Sequence, residues 1–115
     1  MNFYQLCDKT LSDLADKIEK LDIDSNLDIE YSDGVLNIVL LGVEANLKDN
    51  ISNKNNQTFV INRNSSNQKI WYSSPFSGAD YFAYDEEKKQ WLSKNNQDLT
   101  LKLIGELTPF IKQIS

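Results

Sequence analysis

The chain has 115 residues, 40% hydrophobic and 25% charged, which is enough for one buried core and too little for two. It contains no histidine, and Cys7 is its single cysteine, so an internal disulfide, zinc-finger ligation and a Ser-His-Asp triad are all excluded. The formal charge of −5 is local: residues 1–33 hold nine acids against three lysines, a balance of −6, while the other 82 residues balance at +1. A field confined in this way selects cations or a basic partner, and the chain lacks the basic stripe that nucleic-acid binding needs.

From Phe3 onward, apolar side chains recur at Leu6, Cys7, Leu11, Leu14, Ile18 and Leu21, the spacing of a helix with one buried face. At ~100° per residue, Asp8, Asp16, Glu19 and Asp22 fall within roughly 120° of one another, and Lys9, Lys17 and Lys20 share a neighbouring sector. Segregating the signs forgoes favourable pairs. Asp13/Asp16, Asp16/Glu19 and Glu19/Asp22 are like-charge neighbours that together cost roughly 1 kcal/mol, and a cost without structural return points to use, with a solvated face of no role as the alternative. Cys7 lies on the apolar face and reads as a core residue rather than a ligand or nucleophile.

Next, Leu27, Ile29 and Tyr31 alternate with Asp28 and Glu30, a strand that places two carboxylates outward and carries the acidic ridge onto the sheet. Ser32-Asp33-Gly34 offers a tight hairpin into a second strand at 35–40. Residues 42–57 are Asn-rich and read as a long polar excursion. Two β-rich runs follow at 58–63 and 69–74, then an aromatic strand at 80–84, a charged turn at 85–89 and a short strand at 90–92. Asp98 is placed to cap a final helix whose inward face is Leu99, Leu103, Leu107, Phe110, Ile111 and Ile114, with a kink or break expected at Pro109. The order helix, five or six antiparallel strands, helix specifies a single-domain α+β chain: a two-layer α-β sandwich with both helices on one sheet face.

The other sheet face is then left open, and strand alternation puts Asn62, Trp71 and Ser73 among the residues that can point outward on it. A large indole beside amides resembles an interaction anchor, with burial of Trp71 beneath the Asn-rich segment as the alternative. Trp91, the Tyr81/Phe82/Tyr84 group and Phe110 read as packing residues. No apolar run approaches the ~18 residues of a membrane span, and MNFYQLCDK has the features of neither a secretory signal nor a transit peptide. A bacterial cytoplasmic protein is the favoured expectation, a processed organellar one the alternative.

At Phe59-Val60-Ile61-Asn62-Arg63 and Ile70-Trp71-Tyr72-Ser73-Ser74-Pro75-Phe76-Ser77-Gly78, the chain resembles the frataxins and their bacterial CyaY relatives. Leu27-Asp28-Ile29-Glu30, Asp33-Gly34-Val35-Leu36 and the acidic first helix match in order and spacing, so the resemblance spans residues 1–115 as one frataxin-like domain. It implies an iron-binding protein of iron-sulfur cluster assembly, acting as iron donor or as regulator of the cysteine desulfurase and scaffold complex. A weak ferroxidase or iron store is the alternative.

The resemblance assigns weakly bound Fe²⁺ or Fe³⁺, with no organic cofactor, to Asp8, Asp16, Glu19, Asp22, Asp24, Asp28 and Glu30. It assigns partner binding to Asn62 and Trp71, beside which alternation sets Ser73 as a further partner contact, together with Asp16, Glu19 and Asp22. It further implies a monomer able to oligomerise with iron, and a mitochondrial matrix location if the source is eukaryotic. Lys20 and Asn26 stand where relatives often carry acids, Asn64 and Lys69 where Gln is common, and Ser66 where Pro is common. Carboxylates and water are the ligands that inventory leaves for a first-row metal, so an open row of them is expected to bind iron modestly and to accept Mn²⁺, Co²⁺ or Ca²⁺.

Overall fold

Asn2 starts the first helix in a reciprocal cap: its side chain accepts from the Gln5 backbone N–H at 2.8 Å, and the Gln5 side chain accepts from the Asn2 N–H at 3.1 Å. This helix, α1, runs Phe3–Leu21 and buries Cys7, Leu11, Leu14, Ala15 and Ile18, the apolar stripe that its periodicity specifies. The computed structural model describes residues 2–41 and 57–111; the expected Asn-rich excursion at 42–57 lies outside them except for Gln57.

Among the described residues six strands follow: β1 (Leu27–Ser32), β2 (Val35–Leu40), β3 (Thr58–Asn64), β4 (Lys69–Ser74), β5 (Gly78–Asp85) and β6 (Gln90–Leu92). They form an antiparallel meander in sequence order, the upper of the two strand counts expected. The β1–β2 hairpin turns on Asp33 and Gly34, at φ 50° and 81°, the two left-handed positions of a type I′ turn. A side chain at Gly34 would meet a second obstacle, because its Cβ would fall 2.5 Å from the Arg63 guanidinium.

Alternation along β2, β3 and β4 sends Leu36, Ile38, Phe59, Ile61, Ile70 and Tyr72 to the covered face, all fully buried. There they meet α1 and the closing helix α2 (Leu99–Ile111), whose Leu99, Leu103, Leu107 and Ile111 complete one core. Asp98 caps α2 as its position predicts, accepting from the Leu101 N–H at 3.0 Å. The break expected at Pro109 is absent: the helix continues to Ile111. So near the end, proline removes one backbone donor and leaves little helix to disrupt. The two-layer α+β architecture is the one the sequence specifies.

Three contacts fasten the β4–β5 turn to this frame. The β4–β5 turn is anchored on α2, where Glu106 accepts from the Ser74 hydroxyl at 2.6 Å and the Ser77 hydroxyl at 2.7 Å. Phe76 from the same turn stacks on Phe110 with ring centroids 5.4 Å apart. Cys7 is fully buried among core side chains, which pushes its thiol up to about 11 despite the opposing charge of Arg63. That environment keeps it a thiol and matches the core reading.

Candidate functional site

The carboxylates of α1 are oriented by a contact that periodicity alone does not reveal. The Tyr31 hydroxyl on β1 donates a hydrogen bond to Asp8, which turns the acidic flank of α1 toward the β1 edge of the sheet. Burial, then the Asp8 hydrogen bond and charge, push the Tyr31 phenol up to about 12. Asp16 and Glu19 lie on the same flank and are exposed. Asp24, in the connection to β1, and Asp28 and Glu30, on β1 itself, are exposed as well. Asp8, Asp16 and Glu19 therefore lie on the helix layer and Asp28 and Glu30 on β1, all exposed, with one Asp8 oxygen already engaged.

Asp22 departs from the expected pattern. Only 8% exposed, it turns its carboxylate inward, where one oxygen accepts from the Asn26 N–H at 2.8 Å and the other from the Leu27 N–H at 3.0 Å. The physical reason is local: α1 ends here, and the chain must turn into β1 with its backbone donors satisfied. Both as ridge ligand and as partner contact, Asp22 is corrected to a structural residue that shapes the α1–β1 corner. Helical angle placed it on the stripe, but the helix has already ended at Leu21.

On the open sheet face, Asn62 pairs directly with Trp71 across β3 and β4, and Ser73 pairs with Val60. All three are partly exposed, and the Trp71 row continues to Tyr81, 41% exposed rather than packed as expected. Asp28 and Glu30 also point to this face. Glu30 opposes Asn37, Asn37 opposes Val60, and Val60 opposes Ser73, so Glu30 and Ser73 stand in one cross-strand row. Three strand spacings separate them, roughly 14 Å. Asp28 and Glu30, at the β1 edge, thus share the open sheet face with Asn62, Trp71 and Ser73 on β3 and β4.

Among the described residues, no three Asp, Glu or Cys side chains converge on one point as a closed metal site requires. Carboxylates in an exposed row can attract a hydrated cation and ligate it through one or two oxygens while it keeps most of its water. Tyr31 and Glu106 are contributions that the sequence reading missed. Tyr31 occupied an inward position and read as apolar, and Glu106 carried no spacing signal toward Ser74 and Ser77. Among the described residues, no helix is long and apolar enough to cross a membrane.

Residues 1–113 match the frataxin-like domain family. The chain belongs to that family. It is 33% identical over 101 residues to mitochondrial frataxin of Dictyostelium discoideum, covering 85% of this chain and 45% of the relative. With mitochondrial frataxin of Arabidopsis thaliana it shares 30% over 108 residues, covering 90% and 50%. The chain therefore spans about half the length of these two frataxin relatives. Among solved structures it is similar to a trimeric frataxin of the yeast Saccharomyces cerevisiae described as complexed with ferrous iron, with TM-score 0.71 and 29% identity over 92% of this chain and 85% of that one. The frataxin of Psychromonas ingrahamii, at TM-score 0.60 and 16% identity over 94% and 90%, shares the fold.

Proposed function

We propose that this frataxin-family chain handles iron in iron-sulfur cluster assembly, binding it weakly along Asp8, Asp16, Glu19, Asp24, Asp28 and Glu30. In this reading it delivers iron to, or tunes, the cysteine desulfurase and scaffold complex, meeting those proteins through the ridge and through Asn62, Trp71 and Ser73. The observation that carries the proposal is the placement of Asp28 and Glu30: they are exposed on the same sheet face as Asn62, Trp71 and Ser73, with Glu30 in the cross-strand row that ends at Ser73. A basic partner seated on Trp71 can therefore reach the carboxylates with the same contact surface. Iron is cargo here, and an open carboxylate row suits release better than a closed cage would.

The mitochondrial frataxins among its relatives support a mitochondrial matrix location if the source is eukaryotic, and a bacterial source would put the same role in the cytoplasm. The weak ferroxidase or storage reading draws support from the yeast relative described as trimeric and complexed with ferrous iron. The open arrangement of the carboxylates argues against it, because an oxidase site needs preorganised ligands. Anaerobic Fe²⁺ exposed to air with and without protein separates the two, and oxidation no faster than in buffer removes the enzymatic reading.

The deciding experiment is binding to the cysteine desulfurase of the same organism, at low and moderate salt. We expect salt-sensitive binding that is lost on charge reversal at Asp16, Glu19 and Asp28 and also lost in Trp71→Ala, with the latter retaining iron. Full-strength binding by both variants would overturn the adaptor role.

A further inference from the structure

The acidic flank of α1 has a use in the reading above; its basic flank does not. On the side of the helix away from Asp8, Lys9 and Lys17 line a cleft of about 310 Å³ formed between α1, the β5–β6 turn and the start of α2. Lys89 enters from the turn, held there by a left-handed backbone at φ 54°. The volume lies at the lower end of the range for small-molecule sites.

The walls combine apolar groups with a larger number of polar and charged ones. The half-buried Leu6 and Tyr84 and the margin of Trp91, 5% exposed, supply the apolar surface, and Thr100 contributes from the first turn of α2. Trp91 is fixed in place: its indole N–H donates to the Thr10 hydroxyl at 3.0 Å, and its ring packs against Tyr84 with centroids 5.3 Å apart. Two acids also line the cleft, and both are engaged. Asp13 pairs with Lys9 at 3.0 Å, and Asp98 caps α2. Lys17 and Lys89 have no carboxylate within 4 Å among the described residues.

Two lysines without a carboxylate partner among the described residues line a cleft that Tyr84 and Trp91 also border, which makes it a candidate anion site in a chain of net charge −5. No arginine is present to grip a carboxylate with a planar fork; lysines act as point charges and suit the compact, higher charge of a phosphate. We propose that this cleft binds a small phosphate monoester, its phosphate held between Lys17 and Lys89 and its apolar body against Trp91. The site is separate from the carboxylate ridge, on the opposite flank of the same helix, so its occupancy and iron binding are testable independently.

Trp91 supplies the readout. In a Trp71→Phe protein it is the sole indole, and its emission reports the cleft directly. Phenyl phosphate is the probe, with inorganic phosphate and benzoate as comparisons and far-UV circular dichroism to confirm that each variant is folded. Phenyl phosphate is expected to change Trp91 emission saturably. Lys17→Ala and Lys89→Ala should each weaken binding about fivefold, the effect of losing one near-surface cation-anion attraction. Lys20→Ala, outside the cleft, should leave it unchanged. Inorganic phosphate should bind more weakly because it lacks the apolar body. The proposal is overturned by no saturable change at tens of millimolar, by lysine variants that bind normally, by Lys20→Ala weakening binding equally, or by benzoate binding as tightly as phenyl phosphate.

Discussion

The Asp22 carboxylate holds the backbone N–H of Leu27 at 3.0 Å, closing the corner between α1 and β1 with an acid that charge counting assigns to the ridge. Removing it leaves two backbone donors without their acceptors, one of them buried. Asp22→Ala is therefore expected to destabilise the fold by about 2 kcal/mol. Asp22→Asn, which keeps one side-chain oxygen, should cost less. Co²⁺ or Fe²⁺ binding at the ridge should be unchanged in the folded protein, as read by denaturant unfolding alongside metal titration. A large loss of metal affinity with normal stability would return Asp22 to the ridge.

Tyr31 sets a second, opposite expectation. Its hydroxyl occupies an Asp8 oxygen that would otherwise be available to a cation. Tyr31→Phe should cost about 1 kcal/mol from the lost hydrogen bond. It should also strengthen Mn²⁺ binding near Asp8, seen as increased paramagnetic broadening of the Asp8 amide relative to that of Glu19. Unchanged relative broadening would mean that Asp8 takes no part in metal binding.

These two residues mark where sequence reading succeeds and where it stops. Strand alternation and helical spacing located the six strands, both helices and the Asn62–Trp71 face, because binary patterning is a local property that survives folding intact. The position of the helix end decided the fate of Asp22, and boundaries depend on capping geometry that periodicity does not resolve. The Tyr31–Asp8 and Ser74–Glu106 contacts join residues 23 and 32 positions apart. Their partners are chosen by the docking of helices on the sheet, which no spacing rule carries.

Alkaline pH provides a test of burial. Cys7 is raised from 9.0 to about 11 and Tyr31 from 10.0 to about 12, so the folded state retains protons that the unfolded chain gives up. For a raised pKa the stabilisation is fully present below the unfolded value and declines as pH climbs toward the folded one. Stability should thus be insensitive to these groups below pH about 9 and should fall progressively between about 9 and 12. Cys7→Ala should flatten the early part of that decline, although the smaller side chain lowers stability overall. In the native protein at pH about 8, a thiol reagent should leave Cys7 unmodified, and denaturant should make it react fully.

The row that runs from Glu30 through Asn37 and Val60 to Ser73 yields the prediction that distinguishes one continuous surface from two independent ones. A partner anchored on Trp71 and extending across β3 and β2 covers Glu30 and Asp28, which lie on that face, before it reaches Asp16 and Glu19 on α1. In a complex with the desulfurase, Mn²⁺ broadening should therefore be suppressed at the Asp28 and Glu30 amides and persist, at least in part, at Asp16 and Glu19. Glu30→Lys should weaken partner binding while leaving α1 able to broaden, and raising salt should weaken the wild-type complex. Complete protection of all four positions would place the partner over the helix instead. Protection at none of them would separate the iron ridge from the docking face altogether.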